Sequence, residues 1–227
     1  MTISTICHFH SERFALSGFI KEAEKTFDEI VLVSSPPDGT PPDEATIEIA
    51  KKSGHRLIYD TISQGFGALR TRCISYGKCD WTFILDADEM VASSIPRLHC
   101  EGVDKFPDTL TPNLLVTPHE MINQRDLLRH QIQKADADGM LAVCMSRRHW
   151  FDAPGEFKRP AQNWNDHIDW QLRCIKNSQW VCYDPSIKMH ERILDTRTWS
   201  EPRFLRCNPA DGPWIDHFNL YYKEFEP

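Results

Sequence analysis

The chain has 227 residues, of which 41% are hydrophobic and 26% are charged, as is ordinary for a globular protein with one sizeable core. Its formal net charge of −7 argues against nonspecific binding of nucleic acid by the whole surface. No apolar run is long enough for a transmembrane helix, and residues 1–6 lack the features of a signal peptide, so we expect a cytoplasmic protein without a membrane span. The eight cysteines include no C-x-x-C pair, which favours reduced thiols.

Strands and helices are predicted to alternate over the first part of the chain. Residues 3–9 are rich in β-forming residues, and residues 30–33 form a continuous apolar run of the kind found in parallel sheets. Ser11 is expected to cap the first helix and Asp43 the second, while Gly65 opens the third. The predicted order is strand 3–9, helix 11–27, strand 30–33, helix 43–52, strand 56–59, helix 65–77 and strand 81–85. This order indicates a parallel sheet wound with helices.

The strand in residues 81–90 ends abruptly in three acids, Asp86, Asp88 and Glu89. Ligands of an open α/β sheet bind beyond the carboxyl ends of its strands. Acids this close repel one another unless a cation neutralises them, and oxygen ligands suit Mg²⁺ or Mn²⁺, which could then hold substrate phosphates. The alternative is a solvated turn that is acidic by chance.

The acidic strand belongs to a series of segments, namely residues 9–12 (FHSE), 28–40 (DEIVLVSSPPDGT), 67–71 (GALRT) and 79–89 (CDWTFILDADE). In this order they resemble family 2 glycosyltransferases of the GT-A fold. The resemblance implies an α/β, Rossmann-like fold with a mostly parallel mixed sheet flanked by helices and a C-terminal acceptor-side lobe. Residues 1–95 would form the nucleotide-sugar-binding half, and residues 96–227 the acceptor-binding half, of one domain. A nucleotide-sugar donor, a divalent metal on Asp86 and Asp88, and inversion at the anomeric carbon are also implied.

The resemblance gives donor-binding roles to residues near the ends of the first strands and in the helix before the acidic strand. They are His10, Glu12, Ser34, Asp38, Gly67, Arg70 and Asp86, and a UDP-sugar is the first choice of donor. The chain departs from the family pattern at Ser34, where the family has the aspartate that holds uracil and ribose, and at Thr71, where it has an asparagine. Asp38 could supply part of what Ser34 lacks.

Residues 164–173 resemble the "DWQLRLF" segment that lies beside the acceptor in the same glycosyltransferases. Inverting transfer needs a general base to take the proton of the acceptor hydroxyl. Asp169 is the first choice for this base and Asp166 the second. For each, the alternative is an ordinary acid in a turn or at the start of a helix.

Two later segments carry further resemblances. Residues 187–192 resemble the closing "VHE" strand of the family, so His190 is expected to complete the metal shell, unless it is a structural histidine. Arg192 could neutralise the leaving diphosphate or form a surface salt bridge. His217 is similar to a late "HY" element and could close over the donor.

The acceptor is the least defined part of the prediction. Residues 143–206 are rich in basic side chains and hold the tryptophans Trp150, Trp164, Trp170, Trp180 and Trp199. This composition leaves open a nucleic-acid acceptor such as a hydroxymethylated DNA base, although a saccharide or other small hydroxyl acceptor is favoured. Two other functions also stay open. One is a sugar-nucleotide nucleotidyltransferase, whose usual Gly-rich phosphate loop is missing from residues 8–12, and the other is a non-catalytic module that binds glycan or nucleic acid.

Overall fold

The computed structural model describes residues 1–100, 114–150, 169–185, 192–207 and 213–218. These residues form helices packed on one mixed sheet of nine strands, with two small two-stranded sheets beside it. None of the described helices is long and apolar enough to cross a membrane.

The first part of the chain alternates strictly between strand and helix. Its elements are β1 (Ile3–Phe9), α1 (Arg13–Thr26), β2 (Glu29–Ser34), α2 (Glu44–Lys52), β3 (Arg56–Tyr59), α3 (Phe66–Tyr76) and β4 (Trp81–Asp86). The later elements are β5 (Glu89–Met90), β6 (Ser94–Cys100), β7 (Leu114–Asn123), α4 (Gln124–Ala137), β8 (Ala142–Trp150), β9 (Asp169–Lys176), β10 (Val181–Tyr183), β11 (Ile193–Asp195), β12 (Phe204–Arg206) and β13 (Trp214–Phe218). The predicted alternation is confirmed.

The central sheet has the strand order β3-β2-β1-β4-β9-β8-β13-β5, with β12 attached to β8. The four strands from β3 to β4 are parallel, and β9 joins β4 in the antiparallel sense. The sheet is therefore mixed but largely parallel and flanked by helices, as predicted. Because β1 to β4 run in the same direction, their carboxyl ends meet at one edge, where Phe9 lies opposite Ser34 and His8 opposite Asp86.

The parallel strands β1, β2 and β4 are buried on both faces, as their apolar sequences require, whereas β3 at the edge of the sheet is partly exposed. On one face, Phe19, Ile20 and Ala23 of α1 pack against the odd-numbered residues of β4, such as Phe83. The opposite face receives the apolar residues of α3. His8 and Asp86 are even-numbered residues of β1 and β4, so the pleat directs both towards α3.

The helix termini correct one detail of the sequence analysis. Asp43 caps α2 as predicted, and its carboxylate accepts a hydrogen bond from the Thr46 N–H at 2.9 Å. The prediction that Ser11 caps α1 was wrong, because the N-cap residue is Glu12 and its side chain forms no capping hydrogen bond with the helix. The Glu12 carboxylate instead accepts hydrogen bonds from the backbone N–H groups of His10 at 2.7 Å and Ser11 at 2.9 Å. These bonds fix the turn between β1 and α1.

Candidate active site

Asp86, the last residue of β4, is bound by two basic side chains. Its Oδ1 atom lies 2.5 Å from Nε2 of His8 and 2.6 Å from Nη2 of Arg70. Nε2 of His8 also lies 3.3 Å from Nε of Arg70, so the three side chains are in mutual contact. Burial raises the pKa of the Asp86 carboxyl, but the positive charges of Arg70, His8 and Arg173 lower it more, and the pKa falls well below its ordinary value. Asp86 is therefore a fixed anion.

Glu89 is the buried centre of the site, with no exposed surface. Its Oε1 atom lies 2.8 Å from Nη1 of Arg147 and 3.1 Å from Nη2 of Arg173, while Oε2 accepts a hydrogen bond from the Asp86 N–H at 3.2 Å. Burial raises the pKa of Glu89, but the charges of Arg173 and Arg147 outweigh burial and the pKa is lowered. The carboxylate thus holds the backbone of the β4–β5 turn and two guanidinium groups together.

Arg173 reaches both acids because β9 bulges at this point. Val143 lies opposite Cys174, but Cys144 lies opposite Leu172, so Arg173 is the extra residue of a β-bulge. Its Nη2 atom lies 3.1 Å from Oε1 of Glu89 and 3.4 Å from Oδ2 of Asp86. A bulge re-aims a side chain, and here it directs the guanidinium across the sheet to the acids that follow β4.

Asp88 is paired with His217 where β13 and β5 end the sheet, opposite the β3 edge. Nε2 of His217 lies 3.3 Å from Oδ2 of Asp88, and the Phe218 N–H donates to the Asp88 carbonyl at 2.9 Å. The pair exists because β13 runs antiparallel to β5, with His217 opposite Glu89. Both side chains are partly exposed, at 26% for Asp88 and 17% for His217. Both side chains are potential ligands of a divalent cation, since carboxylates suit Mg²⁺ and Mn²⁺ and imidazole suits transition metals. In the described part of the chain they belong to no larger group of three or more potential metal ligands.

The residues predicted to bind the donor line the carboxyl edge of β1 to β3. Ser34 is fully buried at the end of β2, and its carbonyl accepts a hydrogen bond from the Asp60 N–H at 2.9 Å. Asp38 accepts a hydrogen bond from Thr61 Oγ1 at 3.0 Å, which links the loops after β2 and β3. The Nδ1 atom of His10 is buried and has no hydrogen-bond partner among the described residues. These features form one edge that continues into the Asp86 site.

Gly67 and Thr71 lie in the first turns of α3, beside Arg70. Thr71 stands where the resembling family has asparagine, and its hydroxyl bonds to the Gly67 carbonyl at 2.9 Å. The same oxygen accepts a hydrogen bond from the Tyr183 N–H at 2.9 Å. Thr71 therefore attaches α3 to β10, which explains in structural terms why a hydroxyl occupies this position.

The remaining predicted site residues are described only in part. Asp166 and His190 lie outside the described residues. Asp169 begins β9, where its backbone lies opposite Arg147 of β8. The structure describes only the backbone of this residue. Arg192 is exposed, and its carbonyl accepts a hydrogen bond from the Asp184 N–H at 2.7 Å. The roles proposed for these four residues remain predictions.

A cavity of about 530 Å³ opens beside Asp86, between α3 and the strands β8, β9 and β12. We call it the arginine-lined cavity. Its described charged lining residues are Arg70, Arg147, Arg173, Arg206, Asp86 and Glu201. Its aromatic walls include Phe66, Trp170 and Phe204. The volume is in the range of small-molecule sites.

Sequence reasoning missed several residues of this site, namely His8, Arg147 and Arg173. Arg173 lay within the segment that resembles the acceptor-side motif, but nothing in the sequence indicated that a bulge would aim it at Asp86. His8 could have been found, because side chains of β1 alternate and an even-numbered histidine near the strand end must face α3. Arg147 carries no local signal, since its role depends on the pairing of β8 with β9.

No protein-family model matches the chain, and no curated protein is found to be similar to it. Among solved structures, S. aureus TarS is 11% identical over 99% of this chain and 38% of its own, with a TM-score of 0.51. The mannosyltransferase PcManGT from Pyrobaculum calidifontis, in complex with GDP-Man and Mn²⁺, is 9% identical over 95% of this chain and 56% of its own, with a TM-score of 0.51. The chain spans less than two thirds of the length of both proteins. At such low identity the similarity establishes the fold, which is that of GT-A glycosyltransferases.

Proposed function

We propose that the chain is a metal-dependent glycosyltransferase that moves a sugar from a nucleotide-sugar donor to a hydroxyl acceptor with inversion. One observation carries the proposal: two aspartates leave β4 of a GT-A fold, and the second of them, Asp88, is paired with the partly exposed imidazole of His217 at 3.3 Å. In PcManGT, which has the same fold, Mn²⁺ accompanies a sugar nucleotide. Mn²⁺ together with a sugar nucleotide is what we propose the Asp88–His217 pair to bind.

The metal ligands that we propose are Asp88 and His217, with His190 as a further candidate. Asp86 keeps the role of donor-side anion rather than that of first ligand, because Oδ1 already binds His8 and Arg70. When bound, a divalent cation supplies positive charge that stabilises the leaving diphosphate. Mn²⁺ suits a site with both carboxylate and imidazole ligands better than Mg²⁺, which favours oxygen.

The remaining steps belong to residues of the chain itself. Arg70 and Arg173 are fixed by Asp86 and Glu89, so their guanidinium groups present a preorganised positive charge to the donor phosphates. Arg192 is a further candidate for this role. Asp169 takes the proton of the acceptor hydroxyl as it attacks the anomeric carbon, with Asp166 as the second choice. The backbone position of Asp169 at the start of β9, opposite Arg147, supports this choice because the same strand carries Arg173.

On the donor side, we propose that the nucleoside lies across the carboxyl ends of β1 to β3. The buried Nδ1 of His10 is an unsatisfied polar atom at that edge, as expected of a group that meets a ligand. Ser34 and Asp38 are the other residues proposed to contact the nucleoside. The Glu12 carboxylate supports the loop that carries His10 instead of contacting the donor, since it binds the His10 N–H.

The experiment is to measure release of nucleoside diphosphate from a panel of uridine and guanosine sugar nucleotides, because slow hydrolysis of the donor needs no acceptor. Each donor is tested with Mn²⁺, with EDTA and with the Asp88→Ala variant. Release from one donor that requires Mn²⁺ and is lost in Asp88→Ala supports the proposal and identifies the donor. If no donor is hydrolysed or bound in the presence of Mn²⁺, the proposal is wrong and a non-catalytic binding module becomes the better description.

A further inference from the structure

We propose that the arginine-lined cavity binds an acceptor that carries an anionic group, and that Arg206 is the residue that selects for it. This inference rests on the proposed transferase function, since it assigns the substrate class of the second half of the same site. The pairing of β12 with β8 fixes the position of Arg206, which lies opposite Cys144. Cys144 and Arg206 both line the cavity.

The guanidinium of Arg206 is held by aromatic rings. Its central carbon lies 4.7 Å from the centroid of the Trp170 ring and 6.0 Å from that of Phe204. Stacking on rings orients a guanidinium while its N–H groups stay available for an anion. No carboxylate of the described residues lies within ion-pair distance of Arg206, whereas Arg70 contacts Asp86 and Arg147 contacts Glu89. Among the four arginines of the lining, Arg206 is therefore the one whose charge no described carboxylate offsets.

Other charged residues of the cavity lining add to the positive charge of Arg206. Among the described lining residues are four arginines and two acids, Asp86 and Glu201. Arginines outnumber acids in this lining, and a cleft with an excess of one sign of charge concentrates ligands of the opposite sign. Bidentate pairing with a phosphate or a carboxylate is the interaction for which guanidinium groups are best suited. The cavity extends from Asp86 to Trp170, Phe204 and Arg206 of β9 and β12, whereas the nucleoside is proposed to lie at β1 to β3, so the Arg206 end is the part left for an acceptor.

The size of the cavity favours a small acceptor over a nucleic acid. About 530 Å³ accommodates a monosaccharide or a similar hydroxyl compound with its anionic group, and the aromatic walls would stack on a sugar ring. A strand of DNA would instead need an extended basic surface. The acceptor class that we infer is thus a small hydroxyl compound that bears a phosphate or a carboxylate.

The test uses three probes that differ only at carbon 6 of the sugar: glucose, glucose 6-phosphate and glucuronate. Their dissociation constants are measured by ligand-observed NMR with the full chain, without donor, for the wild type, Arg206→Gln and Arg203→Gln. Arg203 is the matched control, because it is an exposed arginine just before β12 whose Nη2 atom donates to the Asp138 carbonyl at 3.5 Å. Near-ultraviolet circular dichroism confirms that each variant is folded, and Arg206→Lys serves as a second variant that keeps the charge.

We expect at least one charged probe to bind at least about tenfold more tightly than glucose, because a guanidinium forms a charge-assisted hydrogen bond with an anionic group that the glucose hydroxyl cannot match. Arg206→Gln is expected to remove this difference, Arg206→Lys to keep part of it and Arg203→Gln to keep all of it. Whether the phosphate or the carboxylate is preferred then defines the acceptor. Equal binding of all three probes overturns the inference, as does an unchanged preference in Arg206→Gln. Hydroxymethylated DNA is titrated separately with the same variants. If it binds in an Arg206-dependent way and the charged sugars do not bind, the inference is also overturned.

The two proposals fail in different ways. Hydrolysis of the donor by the wild type tests the transferase function and needs no acceptor. The preference among the three probes tests the anionic subsite and needs no donor. A protein that hydrolyses a sugar nucleotide but binds all three probes equally retains its proposed function and loses this inference.

Discussion

Arg173 and Glu89 form an ion pair that is almost completely enclosed, with 5% and 0% of their side chains exposed and 3.1 Å between Nη2 and Oε1. Burial of such a pair is costly, and replacement by apolar residues is often neutral or stabilising, so it is weak evidence for stability. Its position is informative, because Arg173 also reaches Asp86. The pair connects the bulged strand β9 to the acids of the candidate active site.

Glu89→Gln is expected to destabilise the protein by about 3–5 kcal/mol, because it leaves the buried guanidinium of Arg173 and the partly buried one of Arg147 near an uncharged amide. Urea unfolding followed by circular dichroism measures the change. Glu48→Gln is the matched control: Glu48 forms an exposed pair with Lys51 on α2, and its loss should cost less than about 1 kcal/mol. If the two variants lose equal stability, Glu89 does not have the structural role described above.

The contribution of Glu89 to stability should depend on pH. Its folded-state pKa is lowered from the ordinary value of 4.5 by the charges of Arg173 and Arg147. A lowered pKa means that the stabilisation is fully present above the unfolded-state pKa and is lost as the pH falls through the folded-state value. The difference in unfolding free energy between the wild type and Glu89→Gln should therefore be constant from neutral pH to about pH 5 and shrink progressively as the pH falls further. A difference that grows on acidification would contradict the assignment.

Gly77→Ala is expected to destabilise the end of α3 by about 1–3 kcal/mol through overpacking. A Cβ at this glycine would lie 2.6 Å from Thr82 Oγ1, a separation that forces a shift in the buried start of β4. Thr82→Ala removes that atom, and the double variant should recover part of the loss, because Oγ1 of Thr82 is buried without a hydrogen-bond partner among the described residues. Thermal and urea unfolding of the two single variants and the double variant form the measurement. Additive losses would show that the contact is not the cause.

Mn²⁺ binding should depend on His217 as well as on Asp88. Titration of the protein with Mn²⁺, followed by the electron paramagnetic resonance signal of the free ion, gives the affinity directly. His217→Ala is expected to weaken binding by about tenfold or more, since loss of even an outer-shell partner of a metal ligand costs about 10–100-fold in affinity. His130→Ala is the control, since His130 is an exposed histidine of α4. Unchanged affinity in His217→Ala would remove His217 from the proposed ligands.

The sequence predicted the parallel half of the fold well, because its signals are local. A continuous apolar run identifies β2, Asp43 caps α2, and Gly65 and Gly77 bound α3. The second half gave weaker signals. The β-bulge that aims Arg173 at Asp86 depends on the pairing of β9 with β8, which no local pattern encodes.

In the candidate site, too, the features with local sequence signals were predicted and those that depend on strand pairing were not. Asp86 and Asp88 were found because three acids after an apolar strand are unusual in any sequence. The pairing of Asp88 with His217 joins two residues that are far apart in the chain through β13 and β5. The sequence indicated His217 only through its similarity to a late "HY" element of the glycosyltransferase family. Its proximity to Asp88 comes from tertiary structure. The aromatic stacking of Arg206 on Trp170 could not be predicted for the same reason.

The most direct test of the central claim compares two aspartates from similar triplets. Asp88 ends the triplet Asp86-Ala87-Asp88, and the exposed Asp138 ends the triplet Asp136-Ala137-Asp138 after α4. The measurement is kcat/KM for Mn²⁺-dependent release of nucleoside diphosphate from the best donor. A metal-dependent glycosyltransferase predicts a loss of about a hundredfold or more in Asp88→Ala and no change in Asp138→Ala. Equal activity of both variants and the wild type would contradict the proposed function.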